Sequence, residues 1–91
     1  MNNTQKQNPY YLYILYSQKI NKFYIGVTND LNRRLYQHNN NLSPYTKHKG
    51  PWILVHHEAF PNKHEAIKRE QEIKKWKSKE KIIRIFNIKL P

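Results

Sequence analysis

Arg34 and His38 stand four residues apart, so on a helix they share one face. A guanidinium is a planar fork for phosphate oxygens, and an imidazole donates or accepts a proton near neutral pH. Near the edge of a sheet the two make a phosphate-binding arrangement. They also fit a plainer description, a surface arginine and a histidine favoured by the dipole at a helix C-terminus. Leu31 and Leu35 lie beside them and turn that face partly inward, while Arg33 and Gln37 point more outward.

Glu70 is the second anomaly. It follows Ala66 by four residues and precedes Ile73 by three, which puts a carboxylate inside the apolar stripe that Ala66, Ile67, Ile73 and Trp76 define. A charge on a buried face is costly unless it is paired or bound to a cation. Lys74 at i+4, or Arg34 across the core, would satisfy it as an ion pair. A divalent metal would satisfy it too, since Mg²⁺ is often held by one or two carboxylates plus substrate phosphates.

Tyrosines are the third group. Tyr11 and Tyr13 share one face of a strand by alternation, with Leu12 and Ile14 on the other, and Tyr24 joins them through a turn. Strand tyrosines commonly pack with the hydroxyl at the edge. Beside an arginine and a metal, one of them can instead ionise in part and serve as a general base. Gly26, at the end of the second strand, reads as a bulge or strand exit, or as a close approach of backbone or ligand. His56, His57 and His64 lack the usual spacing of zinc ligands, and adjacent strand residues face opposite sides.

The elements that must position these groups are legible in the same residues. "YYLYILYS" is aromatic and β-branched, and a first strand is expected over 9–17. "SQKIN" is a polar turn without glycine, and "KFYIGVT" (22–28) is a second strand, so the pair forms an antiparallel hairpin. Thr28, Asn29 and Asp30 are all good N-cap residues for a helix over about 30–39. Pro, Gly, Ser and Asn in 39–51 read as a long loop, and "WILVHHEAF" (52–60) as a third strand. Asn62 with Glu65 resembles a capping box for a second helix reaching about Lys77. Ser78 caps a third, on which Ile82, Phe86 and Leu90 share a face. The expected fold is α+β: a small three-stranded antiparallel sheet flanked by helices, in the order β-β-α-β-α-α.

With 91 residues the chain fits one small domain, expected over 9–91 with a disordered N-terminal tail over 1–8. It has no cysteine, which excludes disulfides, thiolate zinc sites and a cysteine nucleophile. No apolar run approaches the roughly 20 residues of a membrane helix, and "MNNTQKQNP" lacks the apolar core of a signal peptide, so a cytoplasmic location is expected. Seventeen Lys and Arg oppose six Asp and Glu, a formal charge of +11. So large an excess points to a polyanion, and nucleic acid comes first. An anionic membrane surface fits less well, because the basic residues are spread along the chain rather than gathered on one amphipathic helix.

Taken in order, "YLY" at 11–13, "YIG" at 24–26, "RRLYQH" and "AIKRE" resemble the GIY-YIG nuclease family from about Tyr10 to Lys77. The second triplet is identical to the family motif. The first departs from it, with Tyr11 for Gly and Leu12 for Ile, but Tyr13 keeps the functional tyrosine. The spacing agrees as well: eleven residues from Tyr13 to Tyr24, ten more to Arg34 and four more to His38. The small size resembles the stand-alone single-domain bacterial members, relatives of the N-terminal nuclease domain of the excision-repair incision enzyme.

The resemblance implies a metal-dependent DNA endonuclease acting in DNA repair, recombination or processing. Carried over residue by residue, Tyr13 is the general base or its hydrogen-bonded activator. Tyr24 orients the water or a phosphate oxygen, and Arg34 stabilises developing negative charge. His38 hydrogen-bonds the tyrosine or assists proton transfer. Glu70 is the sole protein ligand of one Mg²⁺ or Mn²⁺ ion. Family enzymes also use a late asparagine, for which Asn87 is the only candidate.

DNA is the implied partner, with a targeting protein as a further one and neither a membrane nor a small-molecule cofactor. Arg33, Lys47, Lys49, Lys68, Arg69 and Lys74 are the candidate backbone contacts, joined by Lys75 and Lys77. Each alone is a solvated charge; together they track a phosphate backbone. Tyr45, Trp52 and Trp76 either stack on exposed bases or, for the tryptophans, pack in the core. A non-catalytic nucleic-acid-binding module on the same fold shares the charge, as does a small basic RNA-binding protein. Neither has a use for a carboxylate on an apolar stripe.

Overall fold

A computed structural model of the chain describes residues 8–91, so the tail expected over 1–8 falls almost wholly outside the described residues. The elements follow in the order β1 (Tyr10–Ser17), β2 (Lys22–Thr28), α1 (Leu31–Asn39), β3 (Trp52–Phe60), α2 (Lys63–Trp76) and α3 (Lys79–Phe86). The sheet is antiparallel, in the order β2-β1-β3. The aromatic, β-branched β1 takes the centre, where both of its faces are covered and Leu12 through Ser17 are all buried.

Alternation along β1 splits the core into two layers. Leu12 and Ile14 face α2 and α3, packing with Ile73, Ile82 and Ile88. Tyr13 and Leu15 face the other way, with Trp52, against Leu31 and Leu35 of α1. The β1–β2 turn closes without glycine because Asn21 takes the left-handed conformation at φ 53°, which asparagine tolerates better than most residues. Its side chain also accepts a 2.7 Å hydrogen bond from the Tyr16 hydroxyl.

Each helix begins on a capping side chain. Asp30 accepts from the Arg33 amide at 3.0 Å, Asn62 from Glu65 at 2.9 Å and Ser78 from Lys81 at 3.0 Å. Of the three N-cap candidates before α1, Asp30 takes the role, and Thr28 Oγ1 folds back to accept from the Asp30 amide at 3.1 Å. The third helix is shorter than its apolar face suggested. Asn87 adopts φ 51° as a left-handed C-cap and ends α3 at Phe86, so Leu90 reaches the core from beyond the helix. That cap is also the structural role of the late asparagine.

The 40–51 segment is a loop by backbone but not a loose one. Asn39 clamps the residue that opens β3, accepting from the Trp52 amide at 2.6 Å and donating to its carbonyl at 2.9 Å. Ser17 Oγ donates to the Lys49 carbonyl at 2.5 Å, and Trp52 Nε1 to that of Thr46 at 3.2 Å. These bonds hold Ser43 and Thr46 out of solvent under α1.

Candidate active site

The site is organised on the Tyr13 hydroxyl, carried on the face of β1 that meets α1. Arg34 Nε donates to Tyr13 Oη at 3.2 Å, and His38 Nε2 lies 2.9 Å from the same oxygen. Arg34 and His38 reach it together because they are one helical turn apart on α1. The Tyr24 ring completes the group, its centroid 4.8 Å from that of His38 and 6.3 Å from that of Tyr13. Tyr13, Tyr24, Arg34 and His38 therefore converge.

Gly26 makes the convergence possible. It pairs with Tyr13 across the hairpin, and a Cβ placed on it would stand 2.5 Å from Tyr13 Oη and 2.6 Å from Cζ. The phenol lies flat over a position that tolerates no side chain. The glycine is thus neither a bulge nor a strand exit, since β2 continues through Thr28; the group that approaches it is the protein's own tyrosine.

Three side chains not expected at the site hold this cluster. Gln37, expected to point outward, turns in and accepts from Arg34 Nη1 at 2.8 Å. Ser43 Oγ accepts from Nη2 at 3.4 Å. Thr46 Oγ1 lies 2.7 Å from His38 Nδ1. No local pattern marks Ser43 or Thr46: both sit in a polar loop where hydroxyls are common, and only the fold brings the loop beneath α1. With three N–H groups committed, each terminal nitrogen of Arg34 keeps a second N–H for a ligand.

Burial sets the protonation states. It pushes the Tyr13 phenol up to about 12, with Tyr24 and the Glu70 carboxylate adding to the rise and Arg34 opposing it. Burial also lowers His38, helped by the neighbouring Arg34 charge, to about 4. The ring is 1% exposed and is neutral at pH 7, so it is no solvated histidine at a helix terminus. Burial works against the Arg34 charge as well, but the Tyr13 and Tyr24 phenols outweigh it and the guanidinium stays protonated.

The His38 shift predicts an acid-sensitive fold. Between about 6.5 and 4 the unfolded chain binds a proton that the folded chain does not. Stability is complete above that window and declines as the pH falls through it, by on the order of 3 kcal/mol. Urea denaturation of the protein and of His38→Gln at several pH values measures it. The wild-type loss should exceed that of the variant; parallel curves would assign the acid sensitivity to other groups.

Glu70 comes from α2, on the opposite face of the sheet, yet its charge bears on the Tyr13 phenol. Its side chain is 19% exposed, and one oxygen, Oε2, pairs with Lys74 Nζ at 3.1 Å. Of the two ion-pair partners the sequence allowed, the structure selects Lys74 over Arg34. Among the described residues Oε1 has no hydrogen-bond donor, which leaves that oxygen available to a cation. No three His, Asp or Glu side chains cluster among the described residues.

The candidate nucleic-acid contacts divide. Arg33, Lys47, Lys49 and Lys68 are exposed, although Arg33 also donates to Asn29 at 2.7 Å. Lys74 is exposed beside Glu70. Arg69 is held tightly: Nε and Nη2 grip Glu58 at 2.8 and 3.2 Å, Nη1 meets Glu72 at 2.9 Å, and the guanidinium lies over the Trp76 and Phe86 rings. Trp52 is buried at 4% exposure and Trp76 packs on Phe86, while Tyr45 stands 76% exposed. Of the three aromatic candidates for base stacking, Tyr45 is the one in the open. His56 and His57 face opposite ways, the first stacked on Phe86 at 3.9 Å and the second edge-on to Tyr11 at 6.2 Å.

The GIY-YIG catalytic domain model matches residues 9–82. The chain belongs to the GIY-YIG family. Its relatives include a UPF0213 protein of Bacillus pumilus, 36% identical over 87 residues that span 94% of this chain and 87% of the relative. The UPF0213 protein CPE1444 of Clostridium perfringens is 44% identical over 73 residues, 79% of this chain and 77% of the other. The solution NMR structure of the UPF0213 protein BH0048 from Bacillus halodurans aligns with a TM-score of 0.55 at 35% identity, over 87% of this chain and 83% of that one.

Seen as a GIY-YIG domain, the two name triplets are neighbours on adjacent strands, and Tyr13↔Gly26 is where they meet. The family is one of nuclease domains, generally dependent on a divalent metal. Glu70, with one oxygen free of protein donors and a hard oxygen-ligand chemistry, fits that requirement.

Proposed function

We propose that this GIY-YIG domain is a metal-dependent endonuclease that hydrolyses DNA phosphodiester bonds, with a role in DNA repair, recombination or processing. One observation carries the reading: Arg34 Nε and His38 Nε2 converge on Tyr13 Oη. A domain that only binds nucleic acid gains nothing from burying an arginine on a tyrosine hydroxyl.

Each group then has a task. Tyr13 accepts the proton of the attacking water, or activates the group that does. With its phenol at about 12, it stays protonated in the free protein and ionises only when more positive charge enters the pocket. Tyr24 orients the water or a phosphate oxygen. Arg34, fixed by Gln37 and Ser43, meets the negative charge that grows on the phosphate, an interaction strongest where water is excluded. His38 hydrogen-bonds the tyrosine or assists the proton transfer. Glu70 would hold one Mg²⁺ or Mn²⁺ ion, which when bound polarises the scissile phosphate and steadies the leaving oxygen. Arg33, Lys47, Lys49, Lys68 and Lys74 grip the DNA backbone, with a lesser part for the engaged Arg69.

The test is a cleavage assay with and without Mn²⁺ on single-stranded, duplex and branched DNA, run on the protein and on Tyr13→Phe. That substitution removes one hydroxyl and keeps the ring. Loss of general-base catalysis predicts a rate lower by about 100-fold or more. Undiminished cleavage by the variant takes Tyr13 out of the mechanism; no cleavage by the wild type on any DNA favours the non-catalytic binding module.

A further inference from the structure

The loop before β3 buries two hydroxyls, Ser43 at 1% exposure and Thr46 at 0%. Ser43 serves Arg34. Thr46 Oγ1 lies 2.7 Å from Nδ1 of His38, the ring nitrogen turned away from Tyr13. A neutral imidazole carries one proton on two nitrogens, so this contact bears on the chemistry at the other end of the ring.

Two proton arrangements satisfy the distances. In the first, the Tyr13 O–H donates to Nε2, and Nδ1–H donates to Thr46. In the second, the Thr46 O–H donates to Nδ1, and Nε2–H donates to Tyr13 Oη. They make His38 do different things. The first makes the ring an acceptor for the tyrosine proton. The second makes it a donor that joins Arg34 on the phenol oxygen and directs the phenolic O–H away from both.

The Thr46 hydroxyl decides between them. Its backbone is already engaged, the amide donating to Ser43 O at 3.3 Å and the carbonyl accepting from Lys49 N at 3.1 Å and Trp52 Nε1 at 3.2 Å. Among the described residues, His38 Nδ1 is the one side-chain partner of Oγ1. In the first arrangement the Thr46 hydrogen points at no acceptor in a site closed to water, at a cost of about 1–3 kcal/mol. In the second it is the O–H of Tyr13, itself 2% exposed, that lacks a protein acceptor among the described residues. On the reading proposed above, its hydroxyl faces the substrate, whose water or phosphate oxygen accepts from it.

We propose that Thr46 is a positioning residue: its hydroxyl donates to His38 Nδ1 and holds the ring as the Nε2–H tautomer, a second donor beside Arg34 on Tyr13 Oη. The inference rests on the phosphodiester-cleaving role of this pocket and goes past it, since it separates the two parts that role left open to His38. The ring orients and stabilises the ionised phenol; it does not take its proton. A histidine held near 4 is a poor proton acceptor at neutral pH and a sound neutral donor. When Tyr13 gives up its proton, the two N–H groups aimed at Oη become charge-assisted hydrogen bonds to the phenolate.

Heteronuclear NMR on the full chain labelled with ¹⁵N-histidine reads the tautomer directly, independently of any cleavage. His38 of the wild type should show a protonated Nε2 and a bare Nδ1. Thr46→Val, close in volume and lacking the donor, should lose that single tautomer, and kcat for DNA cleavage should fall about 10- to 100-fold with KM unchanged. Thr46→Ser should restore both. A protonated Nδ1 in the wild type overturns the assignment, even if the valine variant fails to fold. So does a His38 ring unchanged in Thr46→Val. If the wild type cleaves no DNA, the nuclease reading fails while the tautomer is still measured, which tells the two failures apart.

Discussion

Glu70→Ala is expected to lower DNA cleavage by about 1000-fold or more, equivalent to roughly 4 kcal/mol of transition-state stabilisation, and to leave DNA affinity within about threefold of wild type. The two readouts separate because they depend on different groups. Affinity comes from many lysines and arginines spread over the surface, and removing an acid takes none away. On the proposed reading cleavage depends on Glu70, whose Oε2 pairs with Lys74 and whose other oxygen has no donor among the described residues. The fold should survive, since the Glu70–Lys74 pair that would be lost is largely exposed on its lysine side and such pairs contribute about 1 kcal/mol or less. A purely electrostatic role for Glu70 predicts the opposite sign. Its charge raises the Tyr13 phenol, so deleting it would ease ionisation of Tyr13 and speed the reaction. Cleavage assays and fluorescence-anisotropy binding on one preparation decide the matter. Equal loss of cleavage and affinity, or a faster variant, removes Glu70 from metal binding.

Gly26→Ala carries the other large effect, and it acts through packing. The added methyl would meet Tyr13 at 2.5 Å from Oη, 2.6 Å from Cζ and 2.9 Å from Cε1. These are atoms of a rigid ring, itself 2% exposed and bonded to Arg34 and His38, so no flexible chain end can give way. Relief requires the phenol or β2 to move. Overpacking of this kind costs about 1–3 kcal/mol of stability, and a displacement near 1 Å in a catalytic group lowers the rate by about 100-fold. Urea denaturation and the cleavage assay measure the two losses. Combining the substitution with Tyr13→Phe removes the closest of the three contacts, so the stability losses of the double variant should sum to less than those of the singles. A Gly26→Ala protein with full stability and activity would mean that the ring has slack the geometry does not reveal.

Much of the fold is written in short-range signals. The three strands are runs of aromatic and β-branched residues, and the helices open at Asp30, Asn62 and Ser78, whose side chains accept from the third helical amide. Such features depend on neighbours two to four residues away, and they appear where the chain predicts them. Two of the misjudged details depend on distant contacts, and the third, at Leu90, on a local cap. Gln37 turns inward because Arg34 is held on Tyr13. Arg69 reads as a surface charge until β3 places Glu58 beside it. Leu90 reads as helical until Asn87 caps α3.

The order of chemical groups, Tyr13, Tyr24, Arg34, His38 and Glu70, is a property of the chain alone, and it was enough to place the protein among GIY-YIG domains. A one-dimensional pattern is preserved by spacing, and spacing survives without knowledge of the pairing. Which hydroxyl lies under which ring is another matter. The flat seating of Tyr13 on Gly26, the Thr46 contact behind His38 and the choice of Lys74 over Arg34 as partner of Glu70 were settled by tertiary structure. Two of these need segments 13 and 8 residues apart to close on one another, and in the third the sheet stands between α2 and α1, so the local i,i+4 pair forms instead. Hydrogen bonds across 2.7–3.2 Å are set by how the layers pack, and no periodicity in the residues encodes that distance.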